Sequence, residues 1–237
     1  MQHSANSPWP ARRRVYLLRH GDVSYFDEQG RPHRPDTVPL NADGRRQAEA
    51  VARELAPVPF DRVLSSDLPR SIETANLVTA GRGLTVETCP ELREIRPGRL
   101  ADLAGTDIEQ AFLGAFGHGL GPDSRFLGGE TFGSLAERVT ACFRRLLGEA
   151  GWRSLLVVAH GGVNRVILAH ALGVGLPAIA ALEQDPCCIN IVDVDAAGRF
   201  LVRLINHTPY NGAKHGLDLT TMERLYLDYR RRAEASG

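Results

Sequence analysis

Apolar positions in this chain fall into short continuous runs, separated by stretches with helical spacing. Ser154-Leu155-Leu156-Val157-Val158-Ala159 is apolar on both faces, which predicts a central strand of a parallel sheet. Val15-Tyr16-Leu17-Leu18 reads the same way, as a short buried strand. Asp61–Ser65 and Leu84–Cys89 are further strands, and Cys188–Val194 and Phe200–Ile205 predict an antiparallel pair joined at Ala196-Ala197-Gly198. Between these runs lie helices. Asn41 caps one running to about Ala56, with Ala48, Val51, Ala52 and Leu55 as its stripe. Pro69 opens a second, with Ser66 or Asp67 as its cap. Phe132, Leu135, Val139, Cys142, Phe143, Leu146 and Leu147 mark a third, entered through Gly129-Glu130-Thr131 and running to about Ala150. A fourth carries Val166, Ile167, Ala169 and Leu172, and a charged C-terminal helix runs from Thr220 to about Ala235. Tyr25–Pro39 is a polar loop; residues 100–128 are Gly-rich and poorly periodic, with helix expected near Asp107–Phe116. Strands alternating with helices indicate an α/β fold.

Length and charge narrow the reading. At 237 residues the chain suits one sizeable domain, expected over 14–237, with residues 1–13 as a flexible polar tail. Lys plus Arg equals Asp plus Glu at 28 each, which argues against nucleic-acid or membrane-surface binding. Lys214 is the only lysine, so nearly all the positive charge is arginine. The four cysteines, Cys89, Cys142, Cys187 and Cys188, make no CxxC pair and no zinc-like spacing, so reduced thiols in a cytoplasmic protein are expected. No apolar run approaches the length of a membrane span, and no signal-peptide core is present at the N-terminus.

The chemistry gathers where strands end. The first strand runs into Arg19-His20-Gly21-Asp22, and the strand at 154–159 runs into His160-Gly161-Gly162 before a helix. Open α/β sheets bind ligands at the carboxyl ends of their strands, so two such endings can converge on one site. Arginine offers a fork of donors suited to phosphate; histidine serves as nucleophile or acid–base group near neutral pH. Gly21 lets the backbone turn tightly or a ligand approach. Arg70 falls in the first turn of its helix, where free N–H groups favour an anion; an ion pair with Glu73, three residues on, explains it equally well. Taken alone, His160 reads rather as a satisfied core histidine at a strand end, and a surface carboxylate is the alternative reading of Glu94.

In order along the chain, Leu18-Arg19-His20-Gly21, Pro39–Ala48, Ser65–Ala75, Leu92-Arg93-Glu94-Ile95 with Gly98, Gly128-Gly129-Glu130-Thr131 and Ala159-His160-Gly161-Gly162-Val163 resemble the histidine phosphatase superfamily, also called phosphoglycerate mutase-like. The resemblance covers about residues 14 to 175. It implies a three-layer α/β/α sandwich with a mostly parallel central sheet, and phosphoryl transfer through a phosphohistidine with no metal ion or other cofactor. On it, His20 is the nucleophile and Glu94 the general acid, then base. Arg19, Arg70, His160 and the Gly161 N–H hold the phosphoryl oxygens, and a backbone carbonyl near Gly21 holds the other ring nitrogen of His20. Positioned cations suit a group whose charge spreads over its equatorial oxygens during transfer.

The chain departs from the mutase pattern. Family mutases read Arg-His-Gly-Glu-(Thr/Ser)-x-x-Asn, whereas Asp22, Val23 and Phe26 stand here; Ile95-Arg96-Pro97-Gly98 replaces the mutase Arg-His-Tyr-Gly, and the mutase insertion with paired arginines is missing. The expected activity is therefore hydrolysis of a small phosphorylated metabolite. A cofactor-dependent phosphoglycerate mutase and a non-catalytic phospholigand-binding protein are the alternatives. Arg31, His33 and Arg34 are candidates to replace the lost Asn contact. The substrate and the oligomeric state, including a homo-oligomer, stay open.

Overall fold

A computed structural model describes residues 12–27, 31, 33–99, 103, 108–117 and 119–235. Its strands are β1 (Arg12–Arg19), β2 (Arg62–Ser65), β3 (Val86–Thr88), β4 (Ser154–Ala159), β5 (Ile189–Asp195) and β6 (Phe200–His207). Its helices are α1 (Ala42–Glu54), α2 (Pro69–Val78), α3 (Ile108–Leu113), α4 (Phe132–Gly148), α5 (Gly161–Leu172) and α6 (Thr221–Ala235), with short 3₁₀ turns between them. The strands form one sheet in the order β3-β2-β4-β1-β5-β6. β3, β2, β4 and β1 pair in parallel, β5 runs against β1, and β6 runs against β5, so only β5 is reversed.

Strand alternation divides the core in two. Val15, Leu17, Leu155, Val157 and Ala159 face one side and pack with Leu135, Val139, Phe143, Val163 and Ile167 of α4 and α5. Tyr16, Leu18, Leu156 and Val158 face the other and pack with Ala48 and Val51 of α1 and Ala75 and Val78 of α2. Both faces of β1 and β4 are thus covered, which is why these strands read as continuous apolar runs and gives the three layers. Each fully buried aliphatic side chain contributes about 1.5–3 kcal/mol.

Local signals and packing differ in four places. Of the segment expected as a tail, residues 1–11 lie outside the described residues, but Arg12 and Arg13 belong to β1, paired with Asp195 and Val194 of β5. The guanidinium of Arg13 lies 4.4 Å over the Trp152 ring, which extends the strand beyond its apolar pattern. The cap of α2 is Leu68 rather than Ser66 or Asp67: Ser66 Oγ accepts the Leu68 N–H at 3.3 Å, and Asp67 is held by Arg93 at 2.6 Å. The strand expected over Leu84–Cys89 shortens to β3. The helix near Asp107–Phe116 becomes α3 followed by a 3₁₀ turn over Gly114–Phe116, with Asp107 outside the described residues. Asn41 caps α1 as expected, accepting the Gly44 N–H at 2.8 Å, and Thr131 caps α4, accepting the Ser134 N–H at 3.1 Å. Thr220 and Glu223 form a reciprocal capping box at the start of α6. Tyr229 of α6 stacks on Phe112 of α3 at 5.8 Å and leans on Phe26 at 6.2 Å, bringing the C-terminal helix beside the segment that follows β1.

Candidate active site

β1 and β4 are parallel neighbours with Arg19 opposite Ala159, so His20 and His160 leave the same edge of the sheet one residue later. Their rings are 5.1 Å apart, centroid to centroid. His20 is held from both sides: its N–H donates to Ala159 O at the end of β4 at 3.0 Å, and its carbonyl accepts the N–H of Cys187, two residues before β5, at 3.1 Å. Its Nδ1 lies 2.7 Å from the Gly21 carbonyl. A carbonyl only accepts, so Nδ1 carries the proton and Nε2 is left with its lone pair. Burial, then the charges of Arg70 and Arg19, hold the His20 pKa well below its usual value, so the ring is neutral at physiological pH.

Gly21 has a different task from the one its flexibility suggests. A Cβ there would meet the Gly44 carbonyl oxygen at 2.5 Å, and a Cβ on Gly44 would collide with the Asp22 backbone. The two glycines let the end of β1 and the first turn of α1 touch. Asp22 serves the same joint: its carboxylate accepts from Asn41 Nδ2 at 2.7 Å and its N–H donates to Gln47 at 2.9 Å.

Arg70, second residue of α2, is buried and donates from Nε to His20 Nε2 at 3.2 Å and from Nη1 to the Pro35 carbonyl at 2.6 Å. The alternative pairing with Glu73 is not made: Glu73 binds Arg45 at 2.7 Å. Arg19 is buried, and its Nη1 donates to the Gln184 carbonyl and to Thr221 Oγ1, the latter at 3.0 Å; its Nε has no protein partner. Burial opposes the charge of Arg19, but Tyr25, Cys188, Glu183 and Glu94 outweigh it and keep the guanidinium protonated. His160 is fully buried, with Nε2 2.9 Å from Ser66 Oγ and 3.3 Å from Ser71 Oγ, and with Nδ1 unpartnered. Burial, Arg70, His20 and Arg19 hold its pKa low as well.

Glu94 closes the group. Its Oε2 accepts the Gly162 N–H at 3.1 Å, in the first turn of α5, and its Oε1 accepts the Ile95 N–H at 2.9 Å. A Cβ built on Gly161 would lie 3.7 Å from Arg19 Nε and 3.8 Å from Glu94 Oε2, so that glycine sits between the two side chains. The backbone behind Glu94 is clamped by Arg138 of α4, which donates to the carbonyls of Glu91, Arg93 and Glu94 at 2.8, 2.7 and 3.2 Å. Arg138 is itself held by Glu130 at 3.0 Å. Burial raises the pKa of Glu130, but hydrogen bonds from Arg138 and the Arg96 amide win and leave it below the usual range. Glu130 of the Gly-Gly-Glu-Thr stretch is thus scaffold for Glu94.

All six residues singled out from the sequence therefore lie together. The partners that position them were not identified from the sequence: Ser66 and Ser71 for His160, Arg138 and Glu130 for Glu94, Thr221 for Arg19. Thr221 in turn donates to Glu183 Oε1 at 2.8 Å, whose other oxygen holds the buried Arg165 at 2.7 Å. The Ser and Glu130 positions lie inside the quoted motifs; nothing local marks Thr221, 202 residues from Arg19. Arg31 turns back onto Asp27 at 2.7 Å, Arg34 is exposed, and His33 borders a separate open cavity of about 240 Å³ with Ser24 and residues 37–41. In their stead the Pro35 carbonyl reaches Arg70. Phe26, at the mutase Asn position, is buried under α6. Among the described residues no cluster of three or more His, Cys, Asp or Glu side chains is arranged to hold a metal, and no helix is long and apolar enough to cross a membrane.

A neutral imidazole nitrogen, ringed by two buried arginines and a second histidine at the C-terminal edge of an α/β sheet, can accept a phosphoryl group. Comparison with known proteins agrees: the chain belongs to the histidine phosphatase superfamily (branch 1), whose family model matches residues 15–207. It is 32% identical over 190 residues to the adenosylcobalamin/alpha-ribazole phosphatase of Escherichia coli, covering 77% of this chain and 90% of that one. It is also 32% identical over 182 residues to a probable phosphoglycerate mutase of Proteus mirabilis, covering 76% and 84%. Among solved structures, a putative alpha-ribazole-5'-P phosphatase from E. coli superposes with a TM-score of 0.67 at 30% identity, covering 82% of this chain and 96% of its own.

Proposed function

We propose that this chain is a phosphomonoesterase that hydrolyses a small phosphorylated metabolite through a phosphohistidine at His20, without a metal ion. The observation that carries the reading is the state of the His20 ring: Nδ1–H held by Gly21 O, and Nε2 unprotonated beside Arg70. Nε2 attacks phosphorus as the ester P–O bond breaks. Arg70 Nε turns from the ring to a phosphoryl oxygen, and Arg19 Nε, His160 Nδ1 and the Gly161 N–H supply further donors at the N-terminus of α5. Glu94 gives its proton to the leaving oxygen. It then takes a proton from the water that attacks phosphorus as the P–N bond breaks, which releases inorganic phosphate and restores His20.

The mutase reading is weaker, although relatives carry that name. Asp22 is engaged with Asn41, the cap of α1, and Phe26 is packed under Tyr229, so neither is free to hold a reorienting bisphosphate. A role limited to phospholigand binding gives Glu94 no task. The balanced charge favours a small substrate over nucleic acid, and four free cysteines suit a reducing, cytoplasmic setting.

The test is intact-mass analysis after rapid acid quench with a phosphate ester and chelator present. Wild type should gain one phosphoryl group transiently; His20→Ala should gain none and lose turnover. Turnover without an adduct would sink the covalent route, dependence on a divalent ion the metal-free one, and conversion of phosphoglycerate isomers without phosphate release would restore the mutase.

A further inference from the structure

Two cysteines unused by this chemistry lie against each other. Cys89, immediately before the Pro90–Leu92 turn, and Cys142, in α4, have Sγ atoms 3.2 Å apart. Their exposures are 5% and 1%. Two surface groups border the pair. Arg145, one turn further along α4 with its side chain 54% exposed, brings Nη2 to 3.7 Å from Cys142 Sγ and 3.9 Å from Cys89 Sγ. Glu91 Oε2 lies 3.3 Å from Cys89 Sγ, and its Oε1 pairs with Arg145 at 3.1 Å. Cys187 and Cys188 have no such setting: burial pushes both thiols up, Cys188 to about 12.

We propose that Cys89 and Cys142 form an oxidisable dithiol, which a hydroperoxide converts to a disulfide that clips the Glu94-bearing segment to α4. The guanidinium of Arg145 and a thiol hydrogen bond from Cys89 favour the Cys142 thiolate, the form that reacts. The same contact lowers the Cys142 pKa and, with burial, raises that of Cys89, which makes Cys142 the attacking sulfur. Cys142 S⁻ attacks a peroxide oxygen and the O–O bond breaks. Cys142 becomes a sulfenic acid, and the leaving alkoxide or hydroxide takes up the proton Cys142 had released. Cys89 sulfur then attacks the sulfenic sulfur, the S–S bond forms, the S–O bond breaks, and water leaves with the Cys89 proton. In sum two thiols lose two electrons and two protons, and one peroxide becomes an alcohol, or water, plus water.

The move required is small. A disulfide needs about 2.05 Å between sulfurs, so the pair closes by about 1.1 Å. Arg138, one turn before Cys142, already binds three carbonyls of the segment that follows Cys89, so the bond adds to an existing contact. It joins positions 53 residues apart and thereby constrains the unfolded chain.

The experiment uses the full chain, treated with one equivalent of hydrogen peroxide, alkylated and mapped. The expected result is the loss of two hydrogens, one linked peptide pair containing Cys89 and Cys142, and a Tm higher by several degrees. Dithiothreitol should reverse all three in the wild type, so the outcome does not depend on a cysteine variant folding. Cys142→Ser should abolish the link, and Arg145→Gln should slow it several-fold. A Cys187–Cys188 link, sulfinic acid without a disulfide, no loss of hydrogens, or an unchanged rate in Arg145→Gln would overturn the proposal.

Discussion

Gly162→Ala separates the chemistry of this site from its stability. A Cβ at residue 162 would lie 2.5 Å from Glu94 Oε1, 3.4 Å from its carboxyl carbon and 3.5 Å from Leu135 Cδ2. Only the first contact is too close, and its atom is the end of a flexible side chain, so Glu94 yields and the backbone stays. The residue lies inside α5, where Ala is favoured over Gly by about 0.5–1 kcal/mol. Folding stability should therefore be unchanged or slightly higher. The Glu94 carboxylate, however, must move by about 0.9 Å to regain ordinary contact and gives up its hydrogen bond from the Gly162 N–H. Displacements near 1 Å cost about 10²-fold, and a general acid contributes about 10²–10⁴-fold. We expect kcat/KM to fall about 10²-fold on an alkyl phosphate. The fall should be smaller on an aryl phosphate whose phenolate leaves without a proton. Thermal unfolding and steady-state kinetics on both esters decide it. An active Gly162→Ala, equal losses in kcat/KM on the two esters, or a lowered Tm would refute the reasoning.

Three further predictions follow from the same geometry. Thr221→Val removes one acceptor of Arg19 Nη1 while the Gln184 carbonyl remains; about 1.5 kcal/mol, or roughly tenfold, should be lost in inorganic phosphate inhibition with little change in Tm, and unaltered inhibition would remove Thr221 from the site. Gly21→Ala drives a methyl into the Gly44 carbonyl, which cannot give way as a side chain can; a cost of about 1–3 kcal/mol and a Tm lower by at least about 2 °C are expected, and a Tm equal to wild type would mean β1 and α1 do not meet as described. His20 and His160 have pKa values held below the unfolded value of about 6.5, so the unfolded chain binds more protons: their contribution is intact above about pH 6.5 and declines as pH drops through it, by up to about 1.4 kcal/mol per pH unit for each histidine. His20→Gln should thus gain stability relative to wild type on acidification, and parallel Tm curves for the two from pH 7 to about 5 would contradict the buried neutral state.

What the sequence by itself determined is local in origin. Residues 15–18 and 154–159 are apolar on both faces, and only a strand covered by helices on both sides accommodates that. The Asn41 cap and the opening of α2 at Pro69 need only a few neighbouring residues, and histidine directly after a buried strand could be read as edge chemistry. Tertiary structure decided the tasks of individual side chains, because those depend on partners far along the chain. Glycine at 21 was open to a tight turn or a ligand; the arrival of Gly44 assigns it to a helix–strand contact. Arg70 had two readings; the ion pair is not made, because Glu73 is taken by Arg45, and Arg70 lies against His20 instead. Arg138 and Thr221 look like ordinary helix-surface residues until packing turns one onto the Glu94 backbone and the other onto Arg19. The pairing of Cys89 with Cys142 likewise exists only once α4 docks beside the turn after β3. A short pattern constrains φ and ψ and the buried face of its own element, whereas hydrogen-bond partners are fixed by the angles and registers at which separate elements pack.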